Sequence, residues 1–262
     1  MEIRPFSEKI LALTAEAEVA LAERFAQFDA TAFRGTQRVL SAFAEHRVSE
    51  ALFAGTNGYG YDDMGRDTLD RIYADVFGAE AAFVRHTIAN GTSALTIGLF
   101  GLLRPGDVLL SVTSRPYDTL NEVIGAEDTN GNGSLRDFGV EYRQIDLRED
   151  GSVDLPAIAD TLDTLGARVK VVFIQRSKGY LNRPTLSVAD IGEIVQVVRA
   201  QTESAYIMVD NCYGEFTEDT EPAAVGADLI VGSLIKTPEA VWQNPAAILP
   251  EPHAPSSSHP IV

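Results

Sequence analysis

The chain has 262 residues, 45% of them hydrophobic and 23% charged, enough for one large domain or two modest ones around a sizeable core. Lys plus Arg number 21 against 38 Asp plus Glu, a formal net charge of -17. Such a chain repels a phosphate backbone, and no run of basic residues offers nucleic acid a site. The single cysteine, Cys212, excludes an intramolecular disulfide and a cysteine-based zinc cage. No apolar run has the length of a membrane span, and the first residues lack the basic flank and apolar stretch of a signal peptide. A cytoplasmic location is therefore expected.

The first fifty or so residues read as helix. Ser7 is its N-cap, and Ile10, Leu11, Leu13, Ala17, Val19, Leu21 and Phe25 recur at spacings near three and four. The stretch from Ala54 to Gly65 is too rich in glycine for a regular element. Arg66 to Phe77 follows as a helix stopped by Gly78. The chain then alternates. Strands are expected at Ala81–Arg85, Val108–Val112, Val140–Asp146, Val169–Ile174, Tyr206–Val209 and Leu229–Val231. Helices are expected at Thr92–Leu103, Pro116–Ile124, Leu155–Leu165 and Val188–Gln201. Strands spaced by helices predict an α/β fold, with a mostly parallel sheet and helices on both faces. Near-continuous apolar strands such as Val169–Ile174 belong in the centre of such a sheet.

In an open parallel sheet, ligands sit beyond the carboxyl ends of the strands. After the first strand, Asn90-Gly-Thr-Ser-Ala94 opens a helix. The amides of Gly91, Thr92 and Ser93 suit either an anion or an ordinary cap by Asn90 or Thr92. Asp210 closes a buried strand, so its charge needs a partner; it reads as holding a protonated ring nitrogen, or as a helix cap or ion pair. The chain's amines are Lys9, Lys170, Lys178 and Lys236, and Lys236 stands just past a strand exit. Asp128-Thr-Asn-Gly-Asn-Gly133 opens like a calcium loop, but Gly139 occupies the twelfth position where a bidentate Glu is required. A polar turn is the expected reading. Gly58, Gly60 and Gly65 lack the spacing and preceding strand of a dinucleotide fingerprint. His46 and His86 stand in no metal-ligand spacing, and no metal is expected.

Taken in order, the small-residue turn, Tyr117, Asp210 and Lys236 resemble the large domain of a pyridoxal-phosphate enzyme of the aspartate-aminotransferase fold, type I. The resemblance extends to the stretches Gly58–Asp70, Asn90–Ala94, Arg115–Leu120, Ile174–Tyr180, Val209–Phe216 and Gly232–Lys236. Together they are similar to the methionine gamma-lyase family, also called aluminium resistance proteins. That resemblance implies pyridoxal 5'-phosphate as cofactor, a sulfur amino acid as substrate, and a homo-oligomer. It implies Lys236 as the Schiff-base lysine, Asp210 as ring-nitrogen partner and Tyr117 stacked on the ring. Gly91, Thr92, Ser93 and Ser233 would bind cofactor, with Tyr61 and Arg66 reaching the phosphate of a neighbouring subunit. Gln175, Arg176 and Ser177 would approach the ring hydroxyl or the substrate. Elimination of a thiol from Cγ or Cβ is the expected chemistry. Transamination, aldol cleavage and an inactive remnant of such an enzyme stay open beside it.

Three segments are expected: an N-terminal helical part (1–55), a cofactor-binding large domain (56–236) and a tail (237–262). The tail holds six of the twelve prolines and the only tryptophan, with no glycine. Proline at that density argues against a helix or central strand. Family members continue after the lysine with Asn-Pro-Gly-Gly-Gly and a small C-terminal domain. One synonymous coding of residues 235–250, with a single A restored after Ile235, reads Ile-Lys-Asn-Pro-Gly-Gly-Gly-Met-Ala-Lys-Pro-Gly-Gly-Tyr-Ile-Ala. A one-base loss in an A-run, in the gene or in its sequencing, leaving residues 237–262 out of frame and the chain poorly active or inactive, is therefore expected. Sequencing the gene checks it: a family-like alternative frame continuing downstream is the expected result, and a clean run with no such frame overturns it.

Overall fold

A computed structural model describes residues 6–56, 59, 63–127, 131–233 and 236, and the backbone of 245–249. Tyr61, Gly58, Gly60, the Asp128–Asn130 start of the polar turn and most of 237–262 lie outside the described residues.

Helix α1 (Glu8–Glu45) is one continuous element, capped by Ser7, whose hydroxyl accepts from the Ile10 amide at 3.4 Å. α2 (Met64–Phe77) starts at Asp63, which accepts from the Arg66 amide, and stops at Gly78 in the left-handed conformation. Strand β1 (Ala81–Val84) leads to α3 (Gly91–Leu102), then β2 (Val108–Ser111), α4 (Asp118–Ile124) and β3 (Glu141–Gln144). α5 (Leu155–Leu165), β4 (Val169–Gln175), α6 (Val188–Gln201), β5 (Tyr206–Asp210) and β6 (Leu229–Ser233) follow. Helix α4 begins two residues later than the sequence suggests. Pro116 precedes it, and Tyr117 is its extended N-cap.

The sheet order is β1-β7-β6-β5-β4-β2-β3. The pairs β3–β2, β2–β4, β4–β5 and β5–β6 are parallel. The seventh strand, β7 (Pro245–Leu249), runs antiparallel between β1 and β6. This interior strand departs from the expectation for the tail. Within it the only proline is Pro245, at the first position, where a missing N–H is tolerated.

Period-two alternation divides the core. Val171, Phe173, Met208, Leu229 and Val231 face α3 and α4, meeting Ala94, Leu95, Leu99 and Leu120. Val172, Ile174, Ile207, Val209 and Ile230 face the other layer, meeting Ile158, Ile191, Ile194 and Val198. α3 lies close on the sheet because position 98 carries no side chain: a Cβ there would sit 3.0 Å from both Leu229 and Met208. The polar turn closes on Asp137, which accepts from the amides of Gly131, Gly133 and Ser134 at 3.1, 2.9 and 3.0 Å.

Candidate active site

Parallel pairing puts the exits of β2, β4, β5 and β6 side by side. Gln175 is level with Asp210, and Asp210 with Val231. A cleft opens there, lined by Gly91, Thr92, Tyr117, Gln175, Ser177, Asp210, Cys212, Tyr213 and Lys236, among others. Seven of the residues expected at the site thus share one cavity: Gly91, Thr92, Tyr117, Gln175, Ser177, Asp210 and Lys236.

At one end, Asn90 caps α3 by accepting from the Ser93 amide at 2.9 Å and the Ser93 hydroxyl at 3.1 Å. Ser93 therefore spends its hydroxyl on the cap and is absent from the cleft lining. The Thr92 and Thr119 hydroxyls bond at 2.7 Å. Ser233 is fully buried, and its Oγ has no partner among the described residues. It lies against Gly91, where an added Cβ would come within 3.4 Å of Ser233 Cβ and 3.8 Å of its Oγ. An orphaned hydroxyl beside the amides of a helix N-terminus is a donor set suited to a phosphate.

Tyr117 is fixed through its amide, which donates to Gln175 Oε1 at 2.7 Å. Its ring lies 5.6 Å from that of Tyr180, and Lys236 Nζ stands 5.9 Å from the Tyr117 centroid and 4.8 Å from that of Tyr213. Asp210 is buried and accepts from the Cys212 amide at 3.1 Å. Burial pushes its carboxyl above the usual range, and the Cys212 bonds, Lys236 and Arg183 oppose that shift. A cation opposite Asp210 would favour its charged form, as a protonated ring nitrogen does. The residues present therefore fit pyridoxal phosphate.

Arg176 is placed differently from expectation. Arg176 is 2% exposed and turned away from the cleft. It donates to the Leu186 and Gly214 carbonyls at 3.2 and 2.8 Å, to Asn211 Oδ1 at 2.8 Å, and to Thr217 and Glu218. The loop after β5 is wound around this guanidinium, so the residue serves the fold. Arg66 pairs with Asp63 at 3.1 Å and lies outside the cleft lining of its own chain.

Two features went unread in the sequence. Arg183 is buried and donates to the carbonyls of Thr113 and Ser177 beneath the cleft. Glu215 is 2% exposed, and its Oε1 accepts from the Ser233 amide at 2.6 Å. Burial raises its carboxyl to about 7, and the charges of Asp210 and Glu221 add to the rise. A glutamate five residues past a strand gives no local signal that its side chain turns inward.

The pattern of the methionine gamma-lyase family matches residues 10–243. The chain belongs to that family. Over 230 residues it is 48% identical to the uncharacterized protein YnbB of Bacillus subtilis, covering 88% of this chain and 53% of the relative. It superposes on a carbon-sulfur lyase involved in aluminum resistance from Clostridium novyi with a TM-score of 0.83 at 45% identity, covering 87% of this chain and 54% of that one. A pyridoxal-phosphate-dependent Escherichia coli protein, YhfS, shares the fold alone, at 19% identity and a TM-score of 0.61, over 82% of this chain and 54% of that one. The fold is the α/β fold of type I pyridoxal-phosphate enzymes, and the methionine gamma-lyase family comprises carbon–sulfur lyases that use that cofactor. The chain spans about half the length of the relatives it matches.

Two predictions follow from the buried charges. Arg176→Ala leaves several acceptors and Glu218 without their donor and should cost about 3 kcal/mol, read by denaturant unfolding; an unchanged midpoint refutes the bolt. Glu215 has a higher pKa folded than its ordinary 4.5, so folding favours its neutral form. Stability is then lost as pH rises from the unfolded value towards about 7. Between pH 5 and pH 8 the wild type should lose about 3 kcal/mol relative to Glu215→Gln. Parallel pH profiles would refute it.

Proposed function

We propose that this chain forms the cofactor-binding part of a carbon–sulfur lyase acting on a sulfur amino acid, as methionine gamma-lyase does. With water, the substrate gives a thiol, a 2-oxo acid and ammonia. The observation that carries this reading is the convergence of Lys236, Asp210, Tyr117 and the α3 N-terminus on one cleft.

Bound pyridoxal phosphate supplies an electron sink for negative charge developing at the substrate Cα. The chain's residues do the rest. The amides of Gly91 and Thr92 and the Ser233 hydroxyl would hold the phosphate. Tyr117 presents a ring face for stacking. Asp210 keeps a proton on the ring nitrogen. Lys236 would hold the cofactor, and its free amine would serve as general base for the Cα proton. Gln175 fixes Tyr117 through its amide, and Ser177 lines the same cleft.

The wider reading extends past this cleft. Residues 56–236 act as the cofactor-binding domain of a cytoplasmic homo-oligomer, with 1–55 as a helical arm. Ile10, Leu11, Leu13, Phe25 and Phe28 of α1 are exposed, an apolar face that a second copy would cover. In such an assembly Tyr61 and Arg66 reach the phosphate of the neighbouring subunit.

Titrating the purified chain with pyridoxal phosphate tests the site. The expected result is a visible band of lysine-linked cofactor, trapped by borohydride on Lys236 in peptide mass spectra and lost in Lys236→Ala. Absence of the band in the wild type overturns the reading. Thiol plus ammonia from methionine, cystathionine or cysteine supports the lyase. Amino-group exchange or aldehyde release favours transamination or aldol cleavage, and a band without any product marks an inactive remnant.

A further inference from the structure

The end of β6 is held in an unusual way. In a parallel ladder, Asn211 would donate to Val231 and its own carbonyl would accept from Ser233. The first bond is present, with Asn211 N donating to Val231 O at 2.8 Å. The second is replaced: Asn211 O accepts from Gly214 N at 2.7 Å, closing a turn. The Ser233 amide donates instead to Glu215 Oε1 at 2.6 Å. A side chain thus stands in for a strand carbonyl.

The local backbone is shaped to allow this. Tyr213 and Phe216 hold left-handed φ values of 70° and 60° on either side of Gly214 and Glu215. Bulky residues adopt that region only when their surroundings impose it. Gly232 leaves room for the carboxylate, since a Cβ there would lie 2.6 Å from Glu215 Oε1. Glu215 Oε2 is buried without a partner among the described residues. The fold therefore buries an acid to make this contact, an arrangement that burial alone disfavours.

The contact joins two parts of the cleft. Glu215 belongs to the loop that begins at Asp210, and Ser233 precedes Lys236 by three positions on the other strand exit. We propose that Glu215 is a positioning residue, whose carboxyl oxygen fixes Ser233, the last residue of β6, against the loop after Asp210 so that the Ser233 hydroxyl and the Lys236 amine are set for the cofactor. The role towards the cofactor rests on the function proposed above. The anchoring itself does not.

Three variants test it: Glu215→Ala removes the acceptor, Glu215→Gln keeps a carbonyl oxygen there, and Gly232→Ala crowds the carboxylate off the amide. Hydrogen exchange at the Ser233 amide reads the anchor without cofactor. Titration with pyridoxal phosphate reads the site. In Glu215→Ala and Gly232→Ala, exchange should quicken at least tenfold and cofactor affinity fall at least tenfold, while Glu215→Gln stays within threefold of wild type in both. Circular dichroism identifies a variant that fails to fold, and the remaining variants then decide. Unchanged exchange in the folded variants overturns the proposal. So does faster exchange with unchanged affinity, or a Glu215→Gln as impaired as Glu215→Ala. If the wild type takes up no cofactor, the functional reading and the cofactor role fail together, and the exchange results still decide the anchor.

Discussion

The parallel register between β5 and β6 governs the rest of the site. With Asp210 level with Val231, alternation puts Met208, Asp210 and Cys212 on the same face of the sheet as Leu229, Val231 and Ser233. That face is the one covered by α3, whose N-terminus therefore opens on the strand exits carrying the acid and leading to the lysine. A slip of one residue in either strand would turn Asp210 or Ser233 to the opposite layer. The apolar residues that fix this register are buried in the α3-facing core, so packing of the sheet and assembly of the site are a single constraint.

Close approach of α3 is the second requirement, and it depends on two missing side chains. At Gly98 a Cβ would press on Leu229 and Met208 at 3.0 Å, and at Gly91 on Cys212 Sγ at 3.3 Å. Larger residues would lift the helix off the sheet and carry its N-terminal amides away from Asp210. On the loop side, Arg176 binds carbonyls and side chains of 211–218. The loop's geometry is thus set by a buried cation as well as by strand pairing. A buried cation with this many oxygen partners is well satisfied, but removing it leaves those partners stranded.

Much of this was legible in the sequence because it rests on periodicity and punctuation. Ser7, Gly78 and the apolar strands mark their elements by local chemistry, and Gly91, Thr92, Tyr117, Asp210 and Lys236 stand at strand exits where an open sheet places ligands. The misses have physical causes. Composition taken over residues 237–262 hid Pro245–Leu249, where the sole proline takes the one strand position that tolerates it. Ser93 lies within the helix start, yet its hydroxyl is used by Asn90. Arg176 follows a strand exit as a ligand-binding residue would, but its side chain turns away, and sequence spacing does not report that direction. Glu215 carries no local signal of its role, because its partner is the Ser233 amide on another strand.

The acids packed behind the cleft show what kind of ligand it suits. Asp210, Glu215 and Glu221 are all buried, and burial raises the pKa of each. Backbone amides of Cys212, Ser233 and Phe216 oppose that rise, as do the charges of Lys236 and Arg183 around Asp210. These dipoles and cations still leave repulsion from Asp210 and Glu221 on Glu215. A cationic group beside Asp210 would relieve it in proportion to how deeply the acid is buried, since screening by water is weak there. An anion in the same place would add to the repulsion. The cleft is therefore polarised along its length, favouring negative charge at the α3 N-terminus and positive charge at Asp210. That order of charges matches a phosphate at one end of an aromatic ring and a protonated nitrogen on the other side of it.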